Sequence, residues 1–386
     1  MERDKRSIAL LFAVYFLQGM VFYGPVATLY RQAAGLDLLQ IGVIESISMA
    51  LMLALEVPWG VAADRLGHRR TIVLCAFLLA VSKVLFWRAE SFGGFLAERL
   101  LLSVAFAGLS GCDSAYLYAC CGAGDHRKAF SRWEAVQTAG LLLASLIWPL
   151  LGGRYRLAAL LTVGTYTAAA LLTLGLAEPK GGHEEQIREP LPLRKALRGT
   201  LALAPLLLAF CLVSETAQMV TVFLGQLQFL RAGIGQGWFG VLQAAVVVAG
   251  LLGGLSHRLS GRLGERRAGT FLMAGAALAC LAMAALPLPL LAAAGVVALR
   301  GAQSLLAPLS NAIQNDRAAP GGRAAQLSCN AMLLDGGGLW LYPAFGALAD
   351  RGVEQALLLG GICCAAGAIL FCFWMKKPCQ PPVDRA

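Results

Sequence analysis

Apolar residues in this chain come in long continuous runs, separated by short polar or glycine-containing breaks, and not in the alternating or three-to-four spacing of half-buried elements. The runs predict helices near 7–30, 38–60, 71–89, 94–119, 131–152, 157–177, 201–228, 236–257, 268–286, 290–315, 325–348 and 355–375. Each is close to the roughly 20 residues that a helix needs to cross the hydrocarbon core of a bilayer. Backbone amides and carbonyls find no water there, so each run is expected as a helix that satisfies its own hydrogen bonds, and glycine or proline inside it does not disqualify it.

Composition sharpens this into a fold class. Hydrophobic residues make up 58% of the chain and charged residues 14%, against roughly 45–50% and about 25% in a soluble domain, so a water-soluble fold of this length would lack the polar surface to solvate itself. The reading is an all-α integral membrane protein with twelve transmembrane helices. Arg3, Lys5 and Arg6 precede the first run, which reaches about Tyr30 and is too long for a signal-peptide core. It is read as a retained first helix with a cytoplasmic N-terminus. On that footing the inner segments hold 23 of the 32 Lys and Arg residues and the outer loops six, Arg31, Arg88, Arg154, Arg156, Arg231 and Arg351. Basic residues are retained on the cytoplasmic side, so both termini are expected in the cytoplasm and the protein in the cytoplasmic (inner) membrane. The net charge of +10 reports topology and not nucleic-acid binding, because its basic residues sit in clusters between apolar runs. The eleven cysteines lie mostly in apolar runs without metal-ligand spacing and read as packing residues. No metal or cofactor is expected.

The longest polar interval, from Glu178 to Arg198, splits the helices six and six. This gives an N-terminal bundle over 1–178, a cytoplasmic linker over 179–199 and a C-terminal bundle over 200–386 that ends in a short cytoplasmic tail. The halves also look like repeats. Asp64-Arg65-Leu66-Gly67-His68-Arg69-Arg70 follows the second helix and Gly261-Arg262-Leu263-Gly264-Glu265-Arg266-Arg267 follows the eighth, identical at five of seven positions with an offset of 197. Pro149-Leu150-Leu151-Gly152 and Pro343-Ala344-Phe345-Gly346 echo each other at an offset of 194.

The stretch from Gly60 through Asp64, Arg65, Gly67, Arg69 and Arg70 resembles the signature of the major facilitator superfamily, G-x-x-x-D-R-x-G-R-R, in the loop between the second and third helices. The resemblance implies two six-helix bundles arranged as parallel repeats that rock about a midplane site. It also implies a conformational latch made by Gly60, Asp64, Arg65, Gly67, Arg69 and Arg70, with Asp113 as a partner for Arg69 or Arg70. His68 stands where the family usually has Arg or Lys. A second, partial resemblance concerns the fifth helix of drug:proton antiporters in the superfamily, G-x8-G-x3-G-P-x2-G-G, which here reads Ala135, Ala144, Trp148, Pro149, Gly152 and Gly153. Small residues in that motif allow close helix packing, and in the family it accompanies export. Residues 109–118 of the fourth helix resemble a pattern from a bacterial branch of the same superfamily.

Charged groups near the bilayer centre cost at least about 2.5–3.5 kcal/mol on insertion scales, so they mark cavities or partners. Glu215 and Asp335 fall near the predicted midplane, with Arg300 slightly outward of it. The first two are the proton-coupling candidates, Glu215 first, because a carboxyl beside a cavity in low dielectric can bind and release a proton as access alternates. An ion pair of either acid with Arg300 is the competing structural reading. In the family the first, fourth, seventh and tenth helices line the cavity, which brings Arg99, Asp113, Glu215 and Arg300 toward substrate. Gln18, Tyr23, Gln218, Gln243 and Gln303 at similar depth complete the cavity candidates.

The expected function is a secondary active transporter, a proton-coupled antiporter that exports small amphipathic organic compounds by alternating access. Its partners are the cargo, the proton and the lipid bilayer, and it acts as a monomer. An uptake symporter or facilitator and a non-transporting receptor or scaffold remain open. The sequence has no Walker loop for ATP-driven pumping, no H-E-x-x-H or G-x-S-x-G, and its four histidines, His68, His126, His183 and His257, are scattered, so an enzyme is disfavoured.

Overall fold

The computed structural model describes residues 2–121, 126–178, 193–318 and 323–376, and every regular element among them is helical. In chain order the first six crossings are α1 (Lys5–Ala33), α2 (Leu38–Leu66), α3 (His68–Arg88), α4 (Phe92–Cys121), α5 (Ala129–Leu151) and α6 (Tyr155–Thr173). The second six are α7 (Ala196–Arg231), α8 (Gln236–Leu263), α9 (Glu265–Ala285), α10 (Pro289–Arg317), α11 in two pieces (Arg323–Gly336 and Gly338–Ala349) and α12 (Val353–Trp374). Among the described residues eleven helices are long and apolar enough to cross a membrane. The twelfth is α11, which continues the run at 325–348 but breaks around Gly337, so that neither piece is long enough alone. The linker residues 179–192 lie outside the described residues, and helix has already begun at Leu193, eight residues earlier than the hydropathy pattern implies.

Helix ends follow local chemistry. Asp37 caps α2 by accepting from Gln40 N at 2.6 Å while the Gln40 side chain accepts from Asp37 N, a reciprocal capping box. Gly67 ends α2 at φ +85°, a left-handed conformation open to glycine, and Gly264 ends α8 with nearly the same angles, φ +78° and ψ 147°. The repeated loop motif is therefore a repeated backbone turn.

The chain divides into two compact units, residues 1–185 with 235–244, and residues 186–234 with 245–386. In the first, α1 packs against α5 and α6, α2 against α4, and α3 against α4 and α6. In the second, each partnership recurs six helices later: α7 with α11 and α12, α8 with α10, α9 with α10 and α12. This recurrence gives the parallel repeat a structural basis.

Non-helical backbone inside a span survives where neighbours satisfy it. The α-helical part of α1 stops at Gly19 and resumes at Ala27. In the gap Phe22 N donates to Thr162 Oγ1 at 3.0 Å and Thr165 Oγ1 donates to Met20 O at 3.3 Å, both from α6. In α8, which narrows to a tighter turn at Leu251–Leu255, Ser304 Oγ of α10 donates to Gly250 O, and Ser256 Oγ donates to Leu305 O at 2.7 Å. α1 and α5 cross where Gly19 faces Gln137 O and Gly140 faces Phe16 O, each so close that a Cβ would strike the carbonyl. Small residues at such a crossing let helix backbones touch. Gly140→Val is expected to destabilise the protein by about 1–3 kcal/mol, the usual cost of overpacking, and to lower the unfolding temperature in detergent. An unchanged unfolding temperature would mean that the crossing is loose.

Candidate functional site

In the second unit α7, α10 and α11 line a partly open cavity of about 140 Å³. α10 contributes Gln303, Leu306, Ala307, Ser310 and Asn311, a spacing that places all five on one helical face. α7 contributes Phe210, Ser214 and Glu215, and the first piece of α11 adds Leu334 and Asp335. Both acids singled out by depth in the sequence thus line one cavity. Glu215 is buried, 7% exposed.

The break in α11 brings a further group to this cavity's edge. Tyr342, on the second piece, donates its hydroxyl to Glu215 Oε2. Gly338 lies beside this pair, where a Cβ would come within 3.0 Å of the Tyr342 ring and 3.1 Å of Glu215 Oε2. Sequence reasoning missed Tyr342, although a phenol in an apolar run next to Pro343 was a signal that its hydroxyl needed a partner. Gln303 is held from both ends: Arg300 Nη1 donates to Gln303 Oε1 at 2.8 Å, and Gln303 Nε2 donates to Ser214 O at 3.2 Å and to Ser214 Oγ at 3.4 Å. Arg300 lies over Gly250 of α8. The structure thus turns Arg300 to the Gln303 amide and Glu215 to the Tyr342 phenol. Gln218 is half-buried, and so is Gln243, which lies in the stretch 235–244 that belongs to the first unit.

The other candidates fall in the first unit. Gln18 is buried there. Tyr23 and Arg99, expected to face substrate, belong to a network of buried charges. Glu45 accepts from Arg31 Nη1 at 3.2 Å and from both Nε and Nη2 of Arg99, and Arg31 and Glu45 are nearly inaccessible, with side chains 5% and 6% exposed. Arg99 is the more open partner, its side chain 25% exposed. Beside it Lys83 Nζ sits 3.6 Å from Glu98 Oε1, donates to Tyr23 OH at 3.1 Å and lies over the Tyr166 ring. Arg31, read from the sequence as a loop residue, is 4% exposed.

Of the latch residues, Gly60 lies in α2 with open space where a Cβ would be, Gly67 makes the turn, and Arg65 and Arg70 are exposed. The side chain of Asp64 lies outside the described residues. Arg69 Nε donates to Leu176 O at 2.6 Å, which ties α3 to the end of α6. Asp113 has a different partner from the arginines that the motif implied: its Oδ2 accepts from Tyr15 OH of α1 at 2.8 Å, and its Oδ1 from Ser114 N at 2.6 Å. In α5 Ala144 is fully buried, Trp148–Leu151 forms a tight turn after Pro149 enters it, and Gly152 and Gly153 both take positive φ, 59° and 76°. Trp148, the large residue in a small-residue frame, is buried and donates from Nε1 to Gln236 O at 2.8 Å. It fits because Gly240 lies opposite, where a Cβ would come within 3.0 Å of Trp148 Cβ. Among the described residues no group of three or more His, Cys, Asp or Glu side chains is placed to hold a metal ion.

Comparison with known proteins adds three findings. A family model described as Major Facilitator Superfamily matches residues 8–341. Among characterised sequences, the nitrate/nitrite transporter NrtP of Picosynechococcus sp. is 33% identical over 96 residues, 24% of this chain and 18% of NrtP. The efflux pump azaK of Aspergillus niger is 26% identical over 160 residues, 40% of this chain and 33% of the pump. The alignments thus span a third or less of these relatives' own lengths. Among solved structures, the nucleoside transporter NupG superposes with a TM-score of 0.83 at 15% identity, covering 98% of this chain and 100% of that one. A bacterial homologue of the human lysosomal transporter Spinster, in an inward-facing and unoccupied conformation, superposes with a TM-score of 0.75 at 16% identity, covering 97% of each chain. At such identities the likeness is one of fold.

Proposed function

The chain belongs to the Major Facilitator Superfamily, and from that premise we propose that it is a proton-coupled antiporter that exports small amphipathic organic compounds by alternating access. The observation that carries this reading is the cavity in which Glu215 and Asp335 meet amide, hydroxyl and apolar side chains. Glu215 is the coupling acid. It is buried, it faces the cavity, and its carboxyl is held by the Tyr342 hydroxyl, a donor that accommodates either protonation state because the protonated acid keeps acceptor capacity. Gln303, fixed between Arg300 and Ser214, orients cargo. The moving bodies are the bundles 1–178 and 200–386, joined through 179–199. The loop from Gly60 to Arg70 acts as the latch, and the protein works as a monomer in the cytoplasmic membrane with both termini inside. The likeness to the efflux pump azaK supports the export direction.

Inside-out vesicles test the assignment. An exporter of this kind takes up cargo when the vesicle lumen is acidified, and collapsing the gradient ends the uptake. NrtP, named as a nitrate/nitrite transporter, supports a second reading of solute uptake; under it a lumenal acid load does not drive accumulation in the same vesicles.

A further inference from the structure

Resting on the reading of this cavity as the cargo site, though not on the direction of transport, we propose that Arg300 is an anion-binding residue. Its guanidinium takes a planar oxyanion, a carboxylate or a nitrate-like ion, through two parallel hydrogen bonds where α8 and α10 cross.

The charge balance of the spans is the first ground. Within their helices Arg31 and Arg99 pair with Glu45, and Lys83 pairs with Glu98. Arg231, at the far end of α7, pairs with Glu354. Arg300 stands eleven residues after Pro289 in the 29-residue α10, about 16 Å along its axis. Among the described residues no acid pairs with it or acts on it, and its hydrogen-bond partner is the neutral Gln303 amide. A cation this deep in a span normally meets a counter-charge or marks the path of a substrate or ion. Here the described residues supply no counter-charge.

The geometry of the guanidinium is the second. It carries five N–H donors in a fixed fork. Nη1 donates to Gln303 Oε1 at 2.8 Å, and the edge formed by Nε and Nη2 has no partner among the described residues. That edge lies beside Gly250 of α8, where a Cβ would come within 3.2 Å of Nε and 3.4 Å of Nη2. The bare glycine keeps space next to the edge that matches the two oxygens of a carboxylate or nitrate. Gly250 O is itself engaged by Ser304 Oγ.

Position ties Arg300 to the cavity. Arg300, Gln303, Ala307 and Asn311 fall on one stripe of α10 at helical spacing, and the last three line the cavity. Arg300 is half-buried at the Pro289 end of that stripe. The Gln303 amide stands between the guanidinium and α7, since its Nε2 donates to Ser214 O and Oγ. An anion on the α8 side is therefore held apart from Glu215. An apolar body attached to a carboxylate would run from Arg300 past Ala307 toward the walls that Phe210 and Leu306 provide.

Two sources share this chemistry, a dissolved ion and the charged end of cargo, and binding to purified wild-type protein separates them without any substitution. In calorimetry at neutral pH, against a chloride background of fixed ionic strength, benzoate is expected to bind at least tenfold more tightly than benzamide, its uncharged counterpart. Benzoate at least tenfold tighter than nitrate assigns the site to cargo, and nitrate as tight as benzoate assigns it to a dissolved ion. Arg300→Gln and Arg300→Lys are each expected to weaken benzoate at least tenfold, the second because an ammonium keeps the charge and loses the fork. Equal binding of benzoate and benzamide, benzoate binding that survives in Arg300→Gln, or no binding of either anion at millimolar concentration overturns the inference. The antiporter reading fails separately, when an acidified lumen drives no cargo into inside-out vesicles while Arg300 still binds the anion.

Discussion

Glu215→Gln abolishes proton-driven accumulation of cargo and leaves exchange of cargo for cargo at saturating concentration intact: this is the result expected in proteoliposomes. Glutamine keeps the shape of the side chain and can still accept from Tyr342, so the cavity and its walls persist. What disappears is the exchangeable proton, and with it the link between the pH gradient and the direction of transport. Tyr342→Phe removes only a hydroxyl. A hydrogen bond to a charged group contributes about 1.5–3 kcal/mol, so this variant should change the pH of half-maximal transport while remaining coupled. If Glu215→Gln accumulates cargo like the wild type, the coupling acid is Asp335 or lies outside the cavity.

Glu45→Ala should be the most destabilising single change in the first unit. It strips the shared acceptor from two guanidinium groups, Arg31 at 5% side-chain exposure and Arg99 at 25%. Breaking a buried ion pair by removing one partner costs about 3–5 kcal/mol, because the remaining charge stays buried without compensation. The variant should aggregate, or unfold at a much lower temperature, in size-exclusion and thermal-unfolding measurements. The triple replacement Arg31→Met, Glu45→Leu and Arg99→Met should recover much of that loss, since replacing a whole buried network with apolar side chains is often close to neutral. A Glu45→Ala protein as stable as the wild type would mean that water or lipid headgroups reach the network.

The number and order of the crossings were legible because each spanning helix must be apolar along its length, and run length is visible in one dimension. The repeat was legible for a related reason: Gly67 and Gly264 make the same turn, and only glycine takes it easily. The breaks within helices were not read from run length. A hydropathy window averages over the interruption of α1 between Gly19 and Ala27 and of α11 near Gly337, although Gly24-Pro25 and Gly336-Gly337-Gly338 were signals for them. Depth alone placed Glu215 and Asp335 at the midplane, but their shared cavity depends on how α7, α10 and α11 pack. The family's helix pattern pointed Arg99 toward substrate and depth suggested Tyr23 for the cavity, and neither signalled the internal charge network that both join, while the position of Arg31 near a helix end resembled a loop. Glu45 in an apolar run was the available sign that a buried cation stood nearby. Asp113 found Tyr15 because α1 and α4 meet, a neighbourhood that the loop motif does not encode.

The coil of α7 widens at Met219–Leu224, immediately beyond the turn that bears Glu215, where Gly225 N bonds to Val220 O five residues back. Successive residues of an α-helix are about 100° apart around its axis, so accommodating one surplus residue puts the two ends of α7 out of phase by about that angle. The far end is moored, since Gln228 and Arg231 both donate to Met283 O of α9. The widened turn thus offsets the azimuth of Glu215, relative to the moored end, from the one that an uninterrupted helix would give.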